Sequence, residues 1–263
     1  MRMQHGVYGI INGNAGVNAL TRLYFPGDIA DHGECRVVAG QAHHVIHVLR
    51  LQAGAALTLF DGRGAEYPAL IKRIDRSGLT LTVTGRHEVS RESSLNITLA
   101  QGISSGERMD YTVQKCVELG ITAIQPLTTQ RSVVRLKADR AERRVTHWQS
   151  VAAAACEQCE RNQLPAVLPV LSLMKWLGEP PAVGDMQFLL SPHGEATRLR
   201  ALQRPQGRVT LLVGPEGGWN PEETQAAMAV GFAPLVLGPR ILRTETAAVA
   251  ALAAMQALWG DMG

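Results

Sequence analysis

Two segments near the C-terminus constrain this chain more than any other part of it. Val209-Thr-Leu-Leu-Val-Gly-Pro-Glu-Gly-Gly-Trp219 and Leu235-Val-Leu-Gly-Pro-Arg-Ile-Leu-Arg-Thr-Glu-Thr-Ala247 each begin as a Val- and Leu-rich apolar run that stops at Gly-Pro. A short apolar run cut off by such a turn signal reads as a buried strand. After the first, Asn220-Pro221-Glu222-Glu223 supplies a cap, a proline at the first helical position and acids in the first turn. After the second, Thr244-Glu245-Thr246 starts a helix that continues through an alanine-rich stretch to about Trp259. Both segments are therefore strand-loop-helix units, and open α/β sheets bind ligands at the carboxyl ends of such strands. Gly214, Gly217 and Gly218 let backbone come close to a ligand. Arg240 and Arg243 set fixed positive charge beside a helix N-terminus, where an anion is favoured. Taken alone, the same pattern also fits two tight turns in an ordinary α/β domain.

The preceding residues continue the alternation. Residues 95–100 read as a strand. Residues 107–119 read as a helix in which Met109, Val113, Cys116 and Val117 recur at helical spacing and which Gly120 stops. A strand at 121–126, an alanine-rich helix at 147–160 and a strand ending in Leu189-Leu-Ser-Pro-His-Gly194 follow. Strands alternating with helices predict a mostly parallel sheet flanked by helices. Residues 21–88 have another character: short strands at 35–38, 56–60, 66–71 and 79–84, interrupted by one helix at 42–51, predict a small barrel. The polar stretch 89–94 links the two parts. Residues 1–20 carry no period and are expected to be a disordered leader or an extension without function.

Several chemistries are excluded by their missing motifs. There is no Gly-x-Gly-x-x-Gly after a strand, no P-loop, no Gly-x-Ser-x-Gly elbow and no His-Glu-x-x-His. His43 and His47 lie four residues apart without a third ligand nearby, and Cys156-Glu-Gln-Cys159 lacks a second cysteine pair. No metal is expected, and the four cysteines are expected to be buried or incidental thiols of a reducing cytoplasm. No apolar run approaches the roughly 20 residues that span a bilayer. The formal charge of +3 is only mildly basic, which fits a local basic patch. That patch is Arg131, Arg135, Lys137, Arg140, Arg143 and Arg144, either a solvated helix face or a phosphate-contact surface.

At these residues the chain resembles a known family. The two C-terminal segments, with Gly106-Glu-Arg-Met-Asp110, Gln114-Lys115, Glu118-Leu-Gly120, Glu157-Gln158 and Arg161-Asn162, are similar to the paired signature and accompanying motifs of the RsmE methyltransferases. The resemblance runs from about Thr21 to the end. It implies a SPOUT-type α/β domain with a deep trefoil knot over residues 95–263, preceded at 21–88 by a PUA-like RNA-binding barrel. It implies S-adenosylmethionine as cofactor, N3 of a uridine in 16S rRNA of the small ribosomal subunit as target, and a cytoplasmic homodimer.

By the same resemblance, Leu190, Ser191, His193, Gly214, Glu216, Gly217, Leu237, Gly238, Ile241, Leu242 and Thr246 are expected to hold the cofactor. Arg243 is expected to stabilise the developing uridine anion and Glu245 to take the N3 proton, although an acid at Glu245 also suits a helix start. Arg22, Arg50, Arg131, Arg135 and Arg161 are expected to contact RNA. Glu157, Gln158, Arg161 and Asn162 could equally face RNA or a dimer partner. A ribose 2′-hydroxyl methyltransferase and a non-catalytic RNA-binding assembly factor are the alternatives.

Overall fold

The computed structural model describes residues 21–132, 138–178, 184–191 and 197–263. The leader 1–20, Arg135, Lys137 and His193 lie outside the described residues, as do the side chains of His43 and His44. The N-terminal part is one six-stranded sheet: β1 (Thr21–Tyr24), β2 (Gly33–Val38), β3 (Ala56–Phe60), β4 (Ala65–Asp75), β5 (Gly78–Val83) and β6 (His87–Glu88). Its order is β1-β3-β4-β5-β2, with β6 on β4. The β1–β3 pair is parallel and the other ladders are antiparallel. On β5, Leu79, Leu81 and Val83 are buried while Thr80 and Thr82 are half-buried, so the alternation fixes which face is inside. Leu23, Val37, Leu57, Leu59 and Ile71 complete that core. The helix starts earlier than the sequence predicts: α1 (Ala39–His43) runs into a π-helical turn over His44–Val48.

The C-terminal part is a seven-stranded sheet made of β7 (Ile97–Gly102), β8 (Ala123–Thr128), β9 (Ala166–Val167), β10 (Leu171–Ser172), β11 (Met186–Leu190), β12 (Val209–Val213) and β13 (Ala233–Leu235). All its ladders are parallel, in the order β10-β8-β7-β12-β11-β13 with β9 on β8. The helices are α2 (Glu107–Glu118), α3 (Ala138–Cys159), α4 (Leu173–Trp176), α5 (Pro221–Ala229) and α6 (Thr244–Trp259). β12 is interior to the sheet and buried along its whole length, which explains its unbroken apolar run.

Two elements differ from the sequence reading for physical reasons. α3 begins at Ala138 and takes in the later basic residues on its solvent face: Arg140, Arg143 and Arg144 are exposed, while Trp148, Ala152, Ala155 and Cys156 lie in the core. β13 ends at Leu235, where the sequence places a strand start. Its ladder partner β11 stops at Leu190, opposite Leu235, so Val236 and Leu237 are released into the loop. Pro234 is tolerated in β13 because this strand lies at the sheet edge.

The two sheets meet across the end of α3. Phe60, from β3, is fully buried in the core of the second sheet, and Tyr24 packs on it with ring centroids 5.5 Å apart. Around this contact Arg22 donates to Glu66 at 2.9 Å and also to Asn162, Arg91 donates to Glu66 at 3.1 Å, and the Tyr24 amide donates to Glu157 at 2.9 Å. Among the described residues no helix is long and apolar enough to cross a membrane.

Candidate active site

The carboxyl ends of β11, β12 and β13 open into a cavity of about 690 Å³. Both strand-loop-helix segments build its wall. From the first come Val213, Gly214, Pro215, Glu216, Gly218 and Trp219; from the second come Leu235 to Gly238 and Arg240 to Glu245, with Ala247. Leu190 and Ser191 add the third loop. Each loop is set by the secondary structure on either side. α5 starts at a capping box: the Glu223 amide donates to Asn220 Oδ1 at 2.7 Å and the Asn220 amide to Glu223 Oε2 at 3.1 Å. The same Glu223, 2% exposed, accepts from the Gln130 amide at 2.8 Å and so ties the first loop to the end of β8.

Glycine is required at the close approaches. A Cβ on Gly214 would stand 3.1 Å from the Trp219 ring. A Cβ on Gly102, at the end of β7, would lie 2.6 Å from Pro215 Cδ. Gly238 has φ of 96°, a conformation that turns the second loop back and that side chains disfavour.

Among the described residues, Arg108, Arg131, Arg240 and Arg243 line the cavity. Arg108 Nη1 donates to Glu216 Oε1 at 2.9 Å, and the Ser105 amide and hydroxyl each donate to that oxygen at 2.8 Å. Burial pushes the Glu216 carboxyl up, but these donors outweigh it and hold the group below its ordinary value. Glu216 is therefore a fixed carboxylate engaged by protein donors. Glu245 differs: its Oε2 is buried without a hydrogen-bond partner, as is Trp219 Nε1, and both residues face the cavity. A buried polar atom left unpaired costs about 1–3 kcal/mol.

The structure brings together Leu190, Ser191, Gly214, Glu216, Leu237, Gly238, Ile241, Leu242, Arg243 and Glu245. Thr246 is exposed and outside the cavity wall. Gly217 sits behind the wall, where a Cβ would meet the Arg131 carbonyl oxygen at 2.8 Å. The residues expected to touch RNA separate into two kinds. Arg50 and Arg131 are exposed, and Arg50 takes φ of 52°. Arg22 and Arg161 are buried inside the fold. Arg161, 6% exposed, donates to Glu92 at 3.0 and 3.2 Å and to the carbonyls of Val117 and Ile121 at 2.9 and 3.0 Å. Arg22 lies 5.2 Å from the Phe60 ring centroid and pairs with Glu66. Arg161 and Asn162, expected at RNA or a dimer partner, lie at the junction between the sheets, where Asn162 donates to Glu66 at 3.2 Å and to the Val89 carbonyl at 2.7 Å.

Sequence reasoning missed Arg108, Trp219 and Thr244 as cavity residues. Their signals were present in the Gly106-Glu-Arg-Met-Asp110 motif, in the last residue of the first C-terminal segment and in the Thr-Glu-Thr helix start. Among the described residues no three His, Cys, Asp or Glu side chains lie close enough to hold a metal ion.

A parallel sheet with glycine-loop walls around a cavity at its carboxyl edge, joined to a β-rich module, defines an α/β ligand-binding protein with an appended small domain. Residues 91–256 match the model of an RNA methyltransferase domain, and residues 39–84 match that of an RNA methyltransferase PUA domain. The ribosomal RNA small subunit methyltransferase E of Buchnera aphidicola is 32% identical over 242 residues, 92% of this chain and 95% of that protein. A solved Neisseria gonorrhoeae ribosomal RNA small subunit methyltransferase E bound to S-adenosyl methionine superposes with a TM-score of 0.85 at 39% identity, over 93% of this chain and 100% of that one. A Legionella pneumophila structure in complex with the same cofactor gives 0.87 at 38% identity, over 92% and 99% of the two chains. The chain belongs to the family of ribosomal RNA small subunit methyltransferase E.

Proposed function

We propose that this protein transfers a methyl group from S-adenosylmethionine to N3 of a uridine in the 16S rRNA of the small ribosomal subunit. The observation that carries the reading is the cavity of about 690 Å³ walled by three loops at parallel strand ends, with Arg243 and Glu245 among its lining residues. Its size lies within the range of about 300–1,000 Å³ typical of small-molecule sites. The backbone turn at Gly238, with φ of 96°, leaves main-chain groups at the cavity for a ligand rich in hydrogen-bonding atoms. S-adenosylmethionine, when bound, supplies an already activated methyl group, so the protein's work is alignment and proton handling.

Backbone groups of Leu237, Gly238, Ile241 and Leu242 hold the adenine in this reading. Leu190, Ser191 and Gly214 face the ribose and the methionine portion, and Glu216 braces the opposite wall through Ser105 and Arg108. The uridine N3–H must lose its proton before nitrogen can attack. Glu245 accepts that proton and Arg243 stabilises the charge that spreads onto the base. The target base is turned out of its stack to reach the cavity. Arg50, Arg131 and the exposed α3 face of Arg140, Arg143 and Arg144 contact phosphates.

Residues 21–88 serve in this scheme as the RNA-binding module and residues 95–263 as the catalytic domain. A trefoil knot in the latter, a homodimer and a cytoplasmic location complete the proposal. The test supplies methyl-labelled S-adenosylmethionine and small subunits lacking the modification, then identifies the product nucleoside. The expected product is 3-methyluridine, with Arg243→Ala lowering kcat by about 10²–10³-fold, the range for loss of one charge-stabilising donor. Label recovered as a 2′-O-methyl ribose, or RNA binding without transfer, overturns the reading.

A further inference from the structure

One buried side chain next to the cavity has no part in the scheme above. Gln101, near the end of β7, is fully buried. Its Nε2 donates to the Gly102 carbonyl at 2.9 Å and to Thr244 Oγ1 at 2.9 Å, with a longer contact of 3.4 Å to the Gly214 carbonyl. Thr244 Oγ1 in turn donates to the Gly214 carbonyl at 2.5 Å. The amide orientation is fixed by these neighbours, because a flipped group would turn its oxygen towards two carbonyls. Gln101 Oε1 is left buried and unpaired, which an apolar residue of similar size would avoid.

This chain of donors joins three parts of the sheet's carboxyl edge: the end of β7, the first glycine loop at Gly214 and the first residue of α6. Thr244 sits between Arg243 and Glu245 in sequence and is itself 8% exposed. Arg243 takes the extended cap conformation and makes no side-chain cap bond, so the helix start is held instead through the Thr244 hydroxyl. Rotation or sliding of α6 at this end would carry both flanking side chains away from the first loop.

We propose that Gln101 is a positioning residue for methyl transfer. Through Thr244 it locks the register of the α6 start against Gly214, and so sets Arg243 and Glu245 over the reacting centre. The assignment rests on the proposed methyltransferase reading. Gln101 touches neither cofactor nor base in this scheme; it acts through the helix start alone.

The test measures methyl transfer to small subunits, S-adenosylmethionine affinity by calorimetry, and thermal unfolding, for wild type, Gln101→Met, Thr244→Val and Thr244→Ser. Gln101→Met, outside the cavity wall, is expected to lower kcat at least tenfold while the cofactor Kd stays within threefold, and Thr244→Val to lower kcat at least tenfold. Thr244→Ser, which keeps the hydroxyl, is expected to restore kcat to within threefold of wild type. If Gln101→Met does not fold, the Thr244 pair decides alone. Folded variants with wild-type kcat overturn the assignment, as does a loss confined to cofactor Kd or a Thr244→Ser variant as impaired as Thr244→Val. A wild-type protein without transfer overturns the function reading itself, an outcome distinct from any of these.

Discussion

Gly217 is constrained by its own neighbour in the protein. A Cβ there would stand 2.8 Å from the Arg131 carbonyl oxygen and 2.9 Å from the Arg131 Cβ, so the first loop must move outward to accept one. Gly217→Ala is therefore expected to weaken S-adenosylmethionine binding by tenfold or more, since overpacking costs about 1–3 kcal/mol; calorimetry reads it directly. The cysteines give a second prediction at this scale. Burial pushes the thiols of Cys116 and Cys156 up to about 12. Both should resist Ellman's reagent at pH 8 in the native protein and react after denaturation. Unfolded thiols ionise near 8.5, so the two raised groups give stability that is complete below that pH and is lost as pH climbs towards 12.

Among the elements, α5 shows how a short helix is held by its first turn. The reciprocal Asn220 and Glu223 bonds satisfy amides that a helix start leaves open, and Pro221 presets the backbone angle. Asn220→Ala removes one half of the box and costs about 1 kcal/mol. The expected fall in Tm is about 2–4 °C by scanning calorimetry, given the size of the cooperative unit. Because Glu223 also holds the Gln130 amide, the same variant should loosen the loop carrying Arg131, visible as faster amide exchange there. α3 makes the complementary point. Its arginines lie on the solvent face of a helix whose other side carries Trp148, and the Trp148 Nε1 donates to Asp110 of α2 at 3.1 Å.

For the whole molecule, the decisive feature is the polar junction between the two sheets. Burial would raise the Glu66 carboxyl, but Arg22, Arg91 and Asn162 outweigh it and hold the group below its ordinary value. A depressed carboxyl contributes stability that is present above the unfolded pKa of about 4.3 and is lost as pH falls below it. Glu66→Gln should flatten the stability profile between about pH 5 and 3, measured by urea unfolding across pH. Arg161→Ala leaves Glu92 without its guanidinium and should cost about 3 kcal/mol, the scale for breaking a largely buried pair. If Arg161 acted on RNA instead, its loss would weaken RNA binding and leave the unfolding midpoint where it was.

Local order is legible in the sequence. The apolar runs marked β12 and most of β7, the Asn-Pro-Glu-Glu sequence marked the start of α5, and Thr244 marked the start of α6. Each depends on residues within one or two turns, where spacing and capping act directly. The extents of α3 and β13 were not legible, because one depends on which face meets the core and the other on where β11 stops. The glycine loops announced a cavity, but the roles of the arginines depended on distant partners. Arg22 meets Asn162 across 140 residues, Arg161 meets Glu92 across 69, and Gln101 meets Thr244 across 143. The sequence alone determined β12, most of β7, the starts of α5 and α6 and the places of the glycine loops. Only the folded structure decided which charged groups face solvent and which tie the fold together, because a guanidinium's partners are set by long-range packing that sequence spacing does not encode.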